Sequence, residues 1–195
     1  PVVAAQVHDA VASHQPLLVS LAAGLSTARL EALLPTGTRV VRAMPNMAAA
    51  VGQSMTALTA GSRAKARDVE QVRALTDLVG RTVVLEERDL PAFVSLASSS
   101  PAFVLTLIEA LARGGLLEGM PKAQAVAIVT QAVLGTALMV QAEVDRRAST
   151  GSGRSPADLV DSVCSPGGTT VAGLVALERA GFSDALIRAV QATVA

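Results

Sequence analysis

Ser165-Pro166-Gly167-Gly168-Thr169-Thr170 is the stretch whose residue types are best suited to chemistry. Two glycines leave a backbone that a ligand can approach closely, and the helical pattern Val171, Leu174, Val175, Leu177 follows at once. A turn opening into a helix offers first-turn amides with no intrahelical acceptor and the positive end of the helix dipole, a place to hold a small anion. Thr169 and Thr170 add hydroxyls that cap the turn or face a ligand. Taken alone, the same string also describes an ordinary glycine-rich turn and N-cap. The rest of the chain has to decide between the two readings.

Other chemistries find less support. Cys164, which immediately precedes the turn, is the single cysteine, so an internal disulfide and a cysteine-based metal cluster are both excluded. It reads as a buried small hydrophobe or a reactive thiol, and no histidine or basic run lies beside it to favour the thiolate. His8 and His14 with scattered carboxylates make no metal-ligand set. No G-x-S-x-G nucleophile elbow occurs, and the G-x-G-x-x-G fingerprint of a dinucleotide-binding sheet is missing. Lys plus Arg and Asp plus Glu number 16 each, so no net field draws the protein to nucleic acid or an anionic membrane.

The elements that must position the turn follow from hydrophobic spacing. Val2 to Ser13 predicts a helix, and Leu17 to Leu21 a strand that ends in the small-residue turn Ala22-Ala23-Gly24. Ser26 caps a helix through Leu30 and Leu33, and Arg39 to Met44 forms a second strand running into Pro45-Asn46. Gln53 to Thr59 and Arg81 to Glu86 are two further strands separated by a helix from Ala64 to Val79. Strands alternating with helices predict a parallel or mixed sheet of the doubly wound type over residues 1–88.

From Asp89 the texture is helical to the end. Leu90 to Leu117 is helical apart from Ser98-Ser99-Ser100-Pro101, which kinks the helix or divides it. Lys122 to Arg147 contains 20 uncharged residues from Ala123 to Ala142, a length that spans a bilayer. Five Gln and Thr residues interrupt that run and no basic bias flanks it, so it reads as a helix buried in a core or against a second subunit. Ala148 to Ser155 is linker-like in composition, and Pro156 starts a short helix before the Ser165 turn. Residues 89–195 are too apolar to hide their surface alone, which predicts a helical dimer. No signal peptide is recognised, and a chain opening on Pro1 reads as processed, engineered or incomplete.

In chain order, Ala22-Ala23-Gly24, Val41 to Asn46, Ser99 to Phe103 with Ile108 to Leu111, Gln131 to Gly135, and Ser165 to Thr170 with Gly173-Leu174 and Gly181-Phe182 resemble pyrroline-5-carboxylate reductase along essentially the whole chain. The resemblance implies the second half of a Rossmann-type sheet followed by a helical dimerisation domain, a homodimer and often a ring of dimers, and a cytoplasmic place in proline synthesis. It implies hydride transfer from NADPH or NADH to 1-pyrroline-5-carboxylate. Carried over by residue, it puts the dinucleotide on Pro1, Ala22, Ala23, Gly24, Pro45 and Asn46, with Met44 toward the substrate. The substrate carboxylate falls on Ser165, Gly167, Gly168 and Thr169, and the hydroxyl of Thr170 meets the ring nitrogen.

The departures are equally specific. The family's glycine-rich first half-sheet and the lysine expected before Pro1 are absent, so the chain as given is expected to lack a pyrophosphate cradle and activity. Ser98 and Ser100 replace two glycines, Pro91 and Val94 replace an acidic residue and a threonine, and Gly153 stands where a glutamate is usual. If either glycine served a positive φ, serine there adds strain. The alternative function is an inactive fragment or relative that acts as a helical dimerisation or interaction module.

Overall fold

The apolar run within Arg39–Met44 organises the sheet. In the computed structural model, which describes residues 2–194, this segment is strand β2, flanked by β1 (Leu17–Ser20) and β3 (Ser54–Ala60), with β4 (Gly80–Val84) beyond β3. β1 and β2 are parallel, β2 and β3 antiparallel, and β3 and β4 parallel, so the sheet is mixed. Val41 and Ala43 point to one face and pack with Leu58, Val69 and Val72, the last two from helix α3 (Ala66–Thr76). Val40 points to the other face, onto Leu30 and Leu34, with Leu30 on helix α2 (Thr27–Glu31). Burial on both faces is why this strand reads as a nearly continuous apolar run.

Helix α1 (Val2–His14) precedes the sheet, and Ser26 caps α2 as expected, its hydroxyl accepting from the Arg29 amide at 3.2 Å. A 3-10 turn over Met47–Val51, capped by Asn46, was not visible in the hydrophobic spacing. After β4, helix α4 (Leu90–Phe93) passes through a π-helical stretch, Val94–Ser99, into α5 (Ser100–Leu117). The serine-proline string therefore neither ends the helix nor starts another, because the π winding absorbs Pro101. Leu90, Phe93 and Ala97 pack on Ala57 of the sheet, together with Met44 and Met55.

The chain forms two compact units, Pro1–Pro101 with Val190–Ala195, and Ala102–Ala189. The second unit holds most of α5, then α6 (Lys122–Thr150), α7 (Pro156–Val163), α8 (Thr169–Arg179) and most of α9 (Phe182–Ala192). The linker-like segment after Ala148 is not a free linker. Helix α6 runs on to Thr150, Gly151 closes it in the left-handed conformation at φ 74°, and the chain then turns back onto the helix. A Cβ at Gly153 would overlap the Glu143 carbonyl oxygen, so only glycine allows that approach.

Candidate functional site

In the sheet unit, β1 ends at Ser20, whose hydroxyl accepts from the Ala22 amide at 3.3 Å, and the chain turns through Gly24 at φ 75° into the capped α2. A Cβ on Gly24 would meet nothing within 4 Å, so the space beside this turn is open. A hollow of about 500 Å³ lies there, bounded by Ala23, Gly24, Met44, Pro45, Arg42 and Glu87 and by Val94 and Ser98 of the π stretch. Of the expected dinucleotide residues, this brings Ala23, Gly24 and Pro45 together with Met44. Ala22 lines a separate apolar hollow against α1 and β1, and Asn46 directs its side chain elsewhere. Pro1 lies outside the described residues.

The charged floor of the hollow was missed. Arg42 is the one charged side chain in the interior of β2, and that side chain is nine-tenths buried. Glu87 meets it at 2.5 Å, and its other oxygen accepts from the Thr27 amide at 3.0 Å. Burial pushes the Glu87 carboxyl up, but the Thr27 amide and the Arg42 charge outweigh it and hold the group below its ordinary value. Glu87 thereby ties β2 to the start of α2 and closes the chain around Ala22–Gly24. The available signal was Arg42 itself, since a charge inside an apolar strand must find a partner.

Ser98 and Ser100 add no backbone strain. Among the described residues the only non-glycine with positive φ is Gln15, and Ser100 is helical at φ −58°. Ser98 contributes an exposed side chain at the rim of the hollow.

In the helical unit, Ser165 to Thr170 forms the expected turn. Gly167 takes φ 71°, and Gly168, extended at φ −72° and ψ 160°, is the N-cap of α8. The Gly168 amide donates to the Ser165 carbonyl at 2.9 Å, so the donors this turn offers outward are the first-turn amides, beginning at Thr169 and Thr170. Both threonines are exposed.

Glu143 was also missed. It is one of two buried residues on α6, the other being Ala125. Arg146 donates to it, as do the Arg154 amide at 3.1 Å and the Arg154 Nε at 2.8 Å. Those bonds from Arg146 and Arg154 hold its carboxyl at about 2, against an ordinary value of 4.5. Because the folded value is depressed, the stability it contributes is complete above about pH 4.5 and is lost as pH falls toward about 2. Acid unfolding should show it: the thermal midpoint of the native chain falls more steeply across that window than that of Glu143→Gln, and parallel curves would refute the role.

The helical unit leaves Leu105, Leu111, Ile128, Leu134, Leu138 and Met139 exposed. The helix Glu87–Leu117 and α6 are each long and apolar enough, by length and composition, to cross a membrane.

A family model described as pyrroline-5-carboxylate reductase dimerisation matches residues 87–195, which include α5 and α6. Pyrroline-5-carboxylate reductase from Synechocystis is 38% identical over 180 residues, covering 92% of this chain and 64% of the relative. The 1-pyrroline-5-carboxylate reductase of Streptococcus pyogenes superposes with a TM-score of 0.78 at 42% identity, over 91% of this chain and 65% of that one. Plasmodium falciparum pyrroline carboxylate reductase, solved with NADP bound, superposes at 0.85 with 25% identity, over 99% of this chain and 73% of that one. The chain thus spans a little under two thirds of the Synechocystis and Streptococcus proteins.

Proposed function

The chain belongs to the pyrroline-5-carboxylate reductase family, and we propose that the protein reduces 1-pyrroline-5-carboxylate to L-proline with a hydride from NADPH or NADH. The observation that carries this reading is the turn at Gly167 and Gly168, which opens α8 with donor amides and two exposed threonine hydroxyls.

The substrate carboxylate rests on the first-turn amides of α8, beside Ser165, Gly167, Gly168 and Thr169, where the helix dipole favours negative charge. The Thr170 hydroxyl donates to the ring nitrogen as that atom takes the electron pair of the C=N bond. The imine enters protonated, so the site needs no strong acid. The hollow in the sheet unit suits a flat nicotinamide: its walls are apolar at Ala23, Gly24, Met44 and Pro45, and the space beside Gly24 is open. Ala23, Gly24 and Pro45 would hold that ring, and the bound dinucleotide supplies the hydride.

The helical unit is read as the homodimer contact. Its exposed leucines and isoleucines, on helices matched by a dimerisation domain, are covered by a second copy in a cytoplasmic enzyme. Light scattering at micromolar protein should give twice the mass of one chain or a multiple of that; a monomer would sink this part of the reading.

Oxidation of NADPH by the whole protein, dependent on added pyrroline-5-carboxylate and yielding proline, tests the activity. A dimer that shows no such oxidation would instead be the dimerisation module without catalysis. The helical backbone at Ser100 and the exposed side chain of Ser98 favour the enzyme.

A further inference from the structure

Pro101 lies inside the helix Glu87–Leu117, four residues after Ala97. Having no N–H, it cannot donate to the Ala97 carbonyl as that position of an α-helix would, and its ring crowds the same oxygen. The helix answers with π winding over Val94–Ser99. A side chain from outside the helix then meets the carbonyl: Asn46 Nδ2 donates to Ala97 O at 2.8 Å. Asn46 Oδ1 is equally committed, accepting from the Ala48 amide at 3.2 Å and the Met55 amide at 3.4 Å. Two amide donors at one end and a carbonyl at the other leave the carboxamide a single orientation. Asn46 therefore joins the 3-10 turn, the start of β3 and the π stretch.

We infer that Asn46 is a positioning residue which, with Pro101, holds the π register of Val94–Ser99 and so sets which side chains of that segment line the hollow at Met44 and Pro45. In the observed register Phe93 and Ala97 pack in the core while Pro91, Val94 and Ser98 line the hollow. Removing the extra residue from the winding turns everything before it by about 100° and takes Val94 off that wall. The inference rests on the proposed reductase reading for the hollow's occupant, and it gives Asn46 a bracketing role in place of direct contact with the dinucleotide.

The test uses the whole protein with Asn46→Ser, Pro101→Ala and both. Serine retains an oxygen for the Ala48 amide but loses the donor to Ala97. Alanine at 101 restores a backbone N–H for the same carbonyl. Amide exchange over residues 94–103 should quicken about tenfold in Asn46→Ser, with β2 and β4 changed by about twofold or less. In the Pro101→Ala background the same substitution should change exchange by only about twofold. KM for the dinucleotide should rise about fivefold in Asn46→Ser with a smaller change in kcat. Asn46→Asp keeps Oδ1 and turns the donor into an acceptor, so it should show the same local quickening if the serine variant does not fold. Unchanged exchange over 94–103, or equal effects in both backgrounds, would overturn the inference. Absence of turnover in the unsubstituted protein would count against the reductase reading alone, because the exchange measurements need no activity.

Discussion

Replacing Gly168 with alanine should lower kcat/KM for pyrroline-5-carboxylate in the whole protein by about a hundredfold, with a stability loss of only about 1 kcal/mol. The backbone at Gly168, φ −72° and ψ 160°, is open to any residue, so dihedral strain is not the cause. A Cβ there would overlap the Ser165 hydroxyl and stand 3.1 Å from the Ser165 carbonyl oxygen. That carbonyl accepts the Gly168 amide and sets the turn, so pushing it aside tilts the first amides of α8 away from the position proposed for the substrate carboxylate. Adding Ser165→Ala removes the hydroxyl overlap and should recover part of the loss. Steady-state kinetics on the single and double variants decide the matter. Gly168→Ala with native kcat/KM would remove the turn from the substrate site. Gly167 differs in kind: its φ of 71° demands glycine although a Cβ would meet nothing within 4 Å.

Gly80→Ala should be the most damaging single-methyl change, costing more than about 4 kcal/mol or preventing folding. Gly80 opens β4 opposite Ser54 at φ 153°. A Cβ there would overlap the main-chain nitrogen and oxygen of Ser54 and lie 2.7 Å from its carbonyl carbon. Those atoms belong to the backbone of an interior strand and cannot rotate away. Ser54 is also buried, shares a 3.1 Å hydrogen bond with Thr56, and accepts from the Asn46 amide at 3.3 Å, so displacement spreads to the wall of the hollow. Gly52→Ala is the control: at φ 70° with open space around it, it should cost about 1 kcal/mol. Urea unfolding of the two variants provides the comparison, and a Gly80→Ala protein within about 1 kcal/mol of native would contradict the account.

The fold was largely legible because its signals are local. A short apolar run ending at Pro45 marked β2, Ser26 marked the start of α2, and Pro156 marked that of α7. Exposed apolar residues on α5 and α6 follow from the same composition that predicted a partner. The segment after Ala148 misled because glycine and serine stand for flexibility in composition, whereas Gly151 and Gly153 serve a left-handed cap and a close backbone approach. The serine-proline string left a kink or a break open, and the Asn46 side-chain amide, which donates to the Ala97 carbonyl from a distant strand end, lets the helix carry proline without breaking.

What the sequence determined by itself is the glycine turn that opens α8, the mixed α/β and helical character of the two parts, and the order of motifs that marks the family. Each depends on residues within a few positions of one another, where spacing and backbone preference suffice. Tertiary structure alone decided that Arg42 meets Glu87, that Asn46 meets Ala97, and that Glu143 gathers Arg146 and Arg154. All but the Arg146 contact join residues far apart in the chain, and burial is what compels the pairings: a charge or carbonyl removed from water must be satisfied by whatever donor the fold brings to it.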